Sequence, residues 1–263
     1  MARQQTNVPL TILFALSLNL GWLGAIATQA QAQTSLRDAT QSAQGLEPEL
    51  TAQVTFNPPG KGQPRNTAGG ASRDANPCLQ AAVLSTQCVT PLTPGANSGL
   101  TLAERPTFYL YVPETSAREI FFALKDENNN HHYQTRIPVT GGEGAVLAFS
   151  LPDDAPALEI GTSYRWTFIL IDQNGLKPDS PGVEGEIRRV EANSLTQVGV
   201  QPGDPTLELA QQYGSAGIWY EMMTTLALLR ESNPQDPTVM ATWTEVLSSV
   251  GLEEIANKPI RLE

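Results

Sequence analysis

Between Leu100 and about Glu191 apolar and polar residues alternate with a period of two, in short runs that each stop at a turn signal. Thr107-Phe108-Tyr109-Leu110-Tyr111-Val112 ends at Pro113. Glu119 to Lys125 runs into Asp126-Glu127-Asn128-Asn129-Asn130, and His132 to Ile137 returns as its hairpin partner. Ala145 to Leu151 closes on Pro152-Asp153-Asp154-Ala155-Pro156, Tyr164 to Ile171 closes on Asp172-Gln173-Asn174-Gly175, and Val183 to Val190 is the last run. Successive side chains on a strand point to opposite faces, so each run offers one face to a core. Six or seven short strands without intervening helices predict an antiparallel immunoglobulin-like sandwich over residues 100–192, rather than alternating β-α units. Leu158-x-x-Gly161-x-x-Tyr164-x-Trp166 adds a tyrosine corner, in which the Tyr164 hydroxyl bonds back to nearby backbone. The stripe Tyr164, Trp166, Phe168 and Leu170 is expected in the core. The rival reading, an aromatic platform for sugars, has less behind it, because alternate large residues on a sandwich strand normally pack inward.

From Asp204 the period becomes helical. Asp204-Pro205 reads as an N-cap with proline at the first helical position, opening a short helix to Tyr213 that Gly214 ends. Ser215 is expected to cap a longer helix to Ser232, with Ile218, Met222, Leu226 and Leu229 on one face. Asn233-Pro234 stops it, and Asp236-Pro237 repeats the cap-and-proline signal before Val239, Trp243, Val246, Leu247 and Val250. Gly217-Ile218-Trp219-Tyr220-Glu221 has the look of a tetratricopeptide helix pair, but a solenoid needs about three copies and there is one. A lone pair buries its stripe elsewhere. The predicted class is therefore mainly β plus α, a sandwich followed by a C-terminal helical hairpin over residues 204–263.

Upstream, the apolar run Leu10 to Ala27 is followed by Ala30-Gln31-Ala32, the small-x-small pattern of a signal-peptidase site, so residues 1–32 read as a signal peptide. An uncleaved anchor is the alternative, since the run just reaches spanning length, but no basic cluster follows it. Export is thus expected, to the periplasm or beyond the cell, with no membrane span after cleavage. An oxidising compartment favours a structural bridge between Cys78 and Cys88, the only cysteines, over free thiols. Their Cys-x9-Cys spacing is too wide for a redox dithiol. Residues 33–99 read as a Gly/Pro-rich linker and strap. Within it, the stretch Phe56 to Arg73 carries Arg65 and Arg73 and reads either as an extended ligand strip or, more simply, as a flexible strap along the folded body.

Charge and residue supply narrow the function. The chain has 27 acidic and 16 basic residues, a net charge of −11, which opposes nucleic acid and anionic lipid. Its only histidines, His131 and His132, flank a predicted hairpin turn, and Gly214-Ser215-Ala216-Gly217 lacks the spacing of a nucleophile elbow. Asp126, Asn128 and Asn130 alternate as calcium-loop ligands do, yet His131 and Ile137 stand where such a loop needs Gly and Glu, so a solvated turn is expected. Asp153 with Glu159 is the most suggestive carboxylate pair for a hydrolase, though an acidic chain always offers some pair. No catalytic residue, metal ligand or cofactor site is expected, and the chain is read as no enzyme.

Several stretches together resemble one family. FNPPGKGQPRNTAGGASR, the Cys pair, GLTLAERPTFYLYVP, LEIGTSYRWTFIL, GEIRRVE, YGSAGIWYEMMTTLALLR and WTEVLSSVGLEEIA are similar to the cyanobacterial family called domain of unknown function 928, over roughly residues 54–263. The resemblance implies an exported protein with a strand-rich centre and a helical end, and carries no catalytic residues. The expected function is an exported, non-catalytic protein-interaction module of the cell envelope whose partner is another exported or envelope protein. The expected contact surface is Arg65 and Arg73 on the strap, or aromatics such as Tyr109, Tyr111, Trp219 and Tyr220. The alternatives are a carbohydrate- or envelope-binding protein using the aromatic stripe, and a carboxylate-dependent hydrolase.

Overall fold

All six alternating runs become strands, and three further strands form where the sequence has no alternation to show. A computed structural model of the chain describes residues 53–59, 88–95, 97–139, 144–192 and 203–262. The strands are β1 (Thr90–Pro91), β2 (Ser98–Thr101), β3 (Thr107–Val112), β4 (Glu119–Asp126), β5 (His131–Pro138), β6 (Ala145–Ser150), β7 (Ser163–Ile171) and β8 (Gly182–Arg189). Helices α1 (Leu207–Ser215), α2 (Trp219–Ser232) and α3 (Pro237–Ser249) follow, then a 3-10 turn at Glu253–Ile255 and β9 (Ile260–Leu262).

The strands make a four-stranded sheet ordered β1-β3-β6-β9 and a five-stranded sheet ordered β2-β8-β7-β4-β5. The purely antiparallel expectation fails at two places, because β2 runs parallel to β8 and β9 runs parallel to β6. Both sheets are mixed. Parallel pairing needs a long crossover rather than a hairpin, and both exceptions have one. β9 returns only after three helices, and most of the β body separates β2 from β8. Neither SGLT nor IRL is long enough to display a period.

β3 shows how the layers stack. Phe108 on one face lies 5.3 Å from Phe122 and 5.9 Å from Phe168, ring centre to ring centre, on the five-stranded sheet. On the opposite face, Tyr109 bonds to Thr224 of α2, and Lys258 stands 6.0 Å over the Tyr111 ring. Burial of Tyr109 against the helix pushes its hydroxyl up to about 12. β3 and β6 are thus covered on both sides, which is why TFYLYV and AVLAFS carry apolar residues at both parities. β7 keeps the strict alternation of a strand covered on one side, with Tyr164, Trp166, Phe168 and Leu170 buried. The tyrosine corner forms as expected: the Tyr164 hydroxyl accepts from the Glu159 amide at 3.0 Å, across a turn in which Gly161 takes φ +83°.

The helix starts differ from the sequence reading in two of three cases. Asp236 does cap α3, its Oδ1 accepting from the Thr238 amide at 2.8 Å, with Pro237 next. α1, however, begins two residues after Pro205, because Thr206 takes the extended cap conformation and its hydroxyl accepts from the Leu209 amide. Gly214 does not end α1. Ser215 belongs to α1 rather than capping α2, and Gly217, at φ +75°, makes the break. The expected stripe of Ile218, Met222, Leu226 and Leu229 is buried as read.

The linker reading of residues 33–99 needs correction at both described ends. β1 and the packed segment at residues 53–59 lie inside it, and β2 begins within it. Val54 is 2% exposed, and Phe56 stacks edge-on against Trp219 at 4.7 Å. The Asn57 amide donates to the Gly214 carbonyl at 2.9 Å. Both glycines of Gly214-Ser215-Ala216-Gly217 make room for this segment. A Cβ on Gly214 would come within 2.6 Å of the Thr55 carbonyl oxygen, and one on Gly217 within 2.9 Å of the Asn57 oxygen. Gly214→Ala is therefore expected to destabilise the fold by about 1–3 kcal/mol, although alanine is the better helix former. Equilibrium denaturation checks this; unchanged or raised stability would mean that the segment is not seated there.

Candidate functional site

Three consecutive residues at the start of α2 reach into the β body, each with a polar group that finds a defined partner. The Trp219 indole N–H donates to the Leu92 carbonyl at 2.8 Å. The Tyr220 hydroxyl accepts from the Trp166 indole N–H at 3.0 Å. Glu221 Oε1 accepts from the Thr101 hydroxyl at 2.7 Å, the Leu102 amide at 2.8 Å and the Ala103 amide at 2.9 Å. Its second oxygen, Oε2, is buried with no hydrogen-bond partner. Burial pushes this carboxyl up from the ordinary glutamate range, and the bonds from Thr101, Leu102 and Ala103 pull it part of the way back.

The segment that Glu221 grips is the crossing from β2 to β3, which leaves one sheet for the other and so has no ladder partner. Arg189, at the end of β8, holds its other side. The guanidinium donates through Nε to the Leu102 carbonyl at 3.2 Å, through Nη1 to the Leu158 carbonyl at 2.6 Å, and through Nη2 to Glu104 Oε1 at 3.1 Å. Only 15% of the Arg189 side chain is exposed. An anion from the helix thus satisfies the amides of the crossing, and a cation from the sheet satisfies a carbonyl. Buried backbone groups outside a ladder need such partners.

Two glycines let the aromatic members close in. A Cβ on Gly99 would come within 2.9 Å of the Tyr220 ring, and one on Gly185 would overlap both the Asn97 carbonyl and the Trp166 indole. The chemistry of the cluster is anchoring. Oε1 already accepts from three donors, and burial pushes the Tyr220 phenol upward, away from neutrality.

The residues singled out from sequence fare unevenly. Trp219 and Tyr220, expected as partner contacts, are 1% and 3% exposed, and their polar atoms bond inward, so they are core residues. Tyr109 and Tyr111 are buried too. The stripe on β7 faces the four-stranded sheet and offers sugars no platform. Arg65, Arg73 and Cys78 lie outside the described residues, while Cys88 is buried just before β1. Asp153 and Glu159 are both exposed. Asp126 spends its carboxylate on its own turn, Oδ2 accepting from the Asn130 side-chain amide and Oδ1 from the Asn130 and Asn128 backbone amides, which holds the carboxyl below the ordinary aspartate range. His132 meets the Pro156 carbonyl at 3.0 Å and the Tyr164 ring edge at 4.7 Å. Among the described residues no three His, Cys, Asp or Glu side chains gather as a metal site.

Glu221 was not among the residues the sequence singled out. One signal was present: it lies three residues after Ile218 and four before Thr225, on the buried side of α2, where an acid is out of place.

The stretches that meet at this clamp, GLTLAERP, LEIGTSYRW, GEIRRVE and GIWYEMM, are among those that carried the family resemblance. The family model described as Domain of Unknown Function (DUF928) matches residues 68–260. The chain belongs to the DUF928 family. The matched region spans β1 to α3 and includes Glu221, Arg189, Trp166 and the β2–β3 crossing; in this DUF928 chain the segment at residues 53–59 lies before it. Among solved structures, the CARDB domain of a Pyrococcus furiosus protein, in complex with di-metal ions, is similar at 12% identity and a TM-score of 0.23, covering 39% of this chain and 89% of that one. No curated protein matches the chain.

Proposed function

We propose that this DUF928 protein is an exported, non-catalytic interaction module of the cell envelope, an immunoglobulin-like sandwich stiffened by a helical layer, whose partner is another exported protein. One observation carries the reading: four of the stretches that carry the family resemblance meet where α2 joins the sheets through Trp219, Tyr220, Glu221 and Arg189. A family whose characteristic residues build a rigid body presents surfaces. The sandwich reading draws support from the tyrosine corner and from the facing aromatic rings of the two sheets. The export reading draws on the leader-like residues 1–32, and the Cys78–Cys88 bridge belongs with it.

Affinity capture of the tagged mature protein from its own cross-linked envelope fraction tests the role. One protein recovered in stoichiometric amount is the expected result, and repeated recovery of none would count against it. The same preparation, weighed without reduction, should be two hydrogens lighter than the dithiol mass; full alkylation without reductant would refute the bridge.

A further inference from the structure

Residues 53–59 lie across the helices as a bound peptide lies on a receptor. The segment forms neither strand nor helix, and all of it except Val54 and Phe56 is exposed. Those two side chains, two residues apart, point inward: Val54 joins the core and Phe56 meets the Trp219 ring. The contacts reach all three helices. The Gln53 side-chain amide donates to Glu245 of α3, the Asn57 backbone amide donates to the Gly214 carbonyl of α1, and Trp219 opens α2. Hydrogen bonding in the helices does not depend on this segment. The Gly214 carbonyl also accepts from the Gly217 amide at 3.0 Å, the Ile218 amide donates to the Tyr213 carbonyl at 2.9 Å, and the Trp219 indole is held by Leu92. The turn from α1 to α2 closes on itself, so departure of the segment strands no polar group there.

We infer that residues 53–59 are an exchangeable arm, and that the seat made by Gly214, Gly217 and Trp219 takes the same segment from a second copy of the chain. The occupant is a second copy because the seat is already shaped to this sequence: the two glycines leave space for the Thr55 and Asn57 carbonyls and for Pro59. Contacts made between copies are then the same as those made within one, which is the condition for exchanging an element between protomers. Residues 60–87 join the arm to Cys88, and a chain of that length can span up to about 90 Å, enough to cross to a neighbouring molecule. With equal contacts, concentration decides. A tethered arm meets its own seat at roughly millimolar effective concentration, so exchange prevails where copies are crowded to that level.

The inference does not rest on the envelope partner proposed above, and the two fail independently. Two variants of the full mature chain separate exchange from fixed packing. Phe56→Ala weakens the arm and leaves the seat intact. Gly217→Ala, whose Cβ would come within 2.9 Å of the Asn57 oxygen, blocks the seat and leaves the arm intact. Each alone should sediment as a monomer at about 0.2 mM, below the effective concentration of a tethered arm. Their equimolar mixture should contain a heterodimer, the Gly217→Ala arm lying in the Phe56→Ala seat, and an excess of a peptide of residues 51–60 should dissociate it. If a melting curve shows either variant unfolded, the unaltered chain decides: its dimer fraction should rise several-fold between about 0.1 and about 1 mM and fall when the peptide is added. A mixture that stays monomeric, a dimer that the peptide leaves intact, or an unaltered chain that stays monomeric at about 1 mM would overturn the proposal.

Discussion

Replacing Glu221 by alanine is expected to cost the fold about 3 kcal/mol or more, the loss of one acceptor stranding the Thr101 hydroxyl and the Leu102 and Ala103 amides. In a domain of this size that corresponds to a fall of about 6–12 °C in melting temperature. Glu221→Gln should be much milder, since its amide oxygen can take the place of Oε1. The comparison between the two has a pH dependence of known sign. The folded chain holds the Glu221 proton more tightly than the unfolded one, where the carboxyl has the ordinary value of 4.5. The stability contributed by that proton is therefore fully present below 4.5 and is lost as the pH rises through the higher folded-state value. Relative to Glu221→Gln, the unaltered protein should be less stable at about pH 8 than at about pH 5. Urea denaturation of both proteins at the two pH values checks this, and a gap that is constant or of opposite slope would contradict it.

Trp166→Ala is the second large effect. Its indole is 1% exposed, lies 6.3 Å from the Phe108 ring and 5.8 Å from the Phe168 ring, and donates to Tyr220. Truncation removes most of that contact area from between the two sheets and leaves Gly99 and Gly185, which have no side chains, unable to fill the space. A loss of about 3–5 kcal/mol is expected. Trp166→Phe keeps the bulk but removes the N–H, and should cost about 1–2 kcal/mol. Chemical denaturation of the two variants separates packing from the hydrogen bond. Equal and small losses would mean that the indole does not lie at the α2–sheet junction.

The sequence made some of this legible for a plain reason. Period-two runs such as SYRWTFILI and cap signals such as Asp236-Pro237 are local, because the forces that set them act within a few residues. β1, β2 and β9 were not legible, since they exist through backbone pairing with distant strands and have two to four residues each. The reading of Trp219 and Tyr220 as surface contacts failed because a polar tip on an aromatic ring looks alike from either side. Only their donors and acceptors, Leu92 and Trp166, lie far off in sequence and reveal the inward direction. Gly214-Ser215-Ala216-Gly217 was judged against a catalytic motif, while its purpose lies in the approach of residues 55–59, which no spacing rule anticipates. The clamp was hidden for the same reason: Glu221, Thr101 and Arg189 are more than thirty residues apart pairwise, and charge alone gives no hint that they share one stretch of backbone.

The central claim is that Glu221 satisfies a crossing segment that has no ladder of its own, and amide hydrogen exchange of Leu102 and Ala103 tests it most directly. Both amides should exchange as slowly as those of β3 in the unaltered chain, and selectively faster in Glu221→Ala than the β3 amides do in the same variant. Exchange at the rate of an exposed turn such as Asn128, in the unaltered protein, would contradict the account.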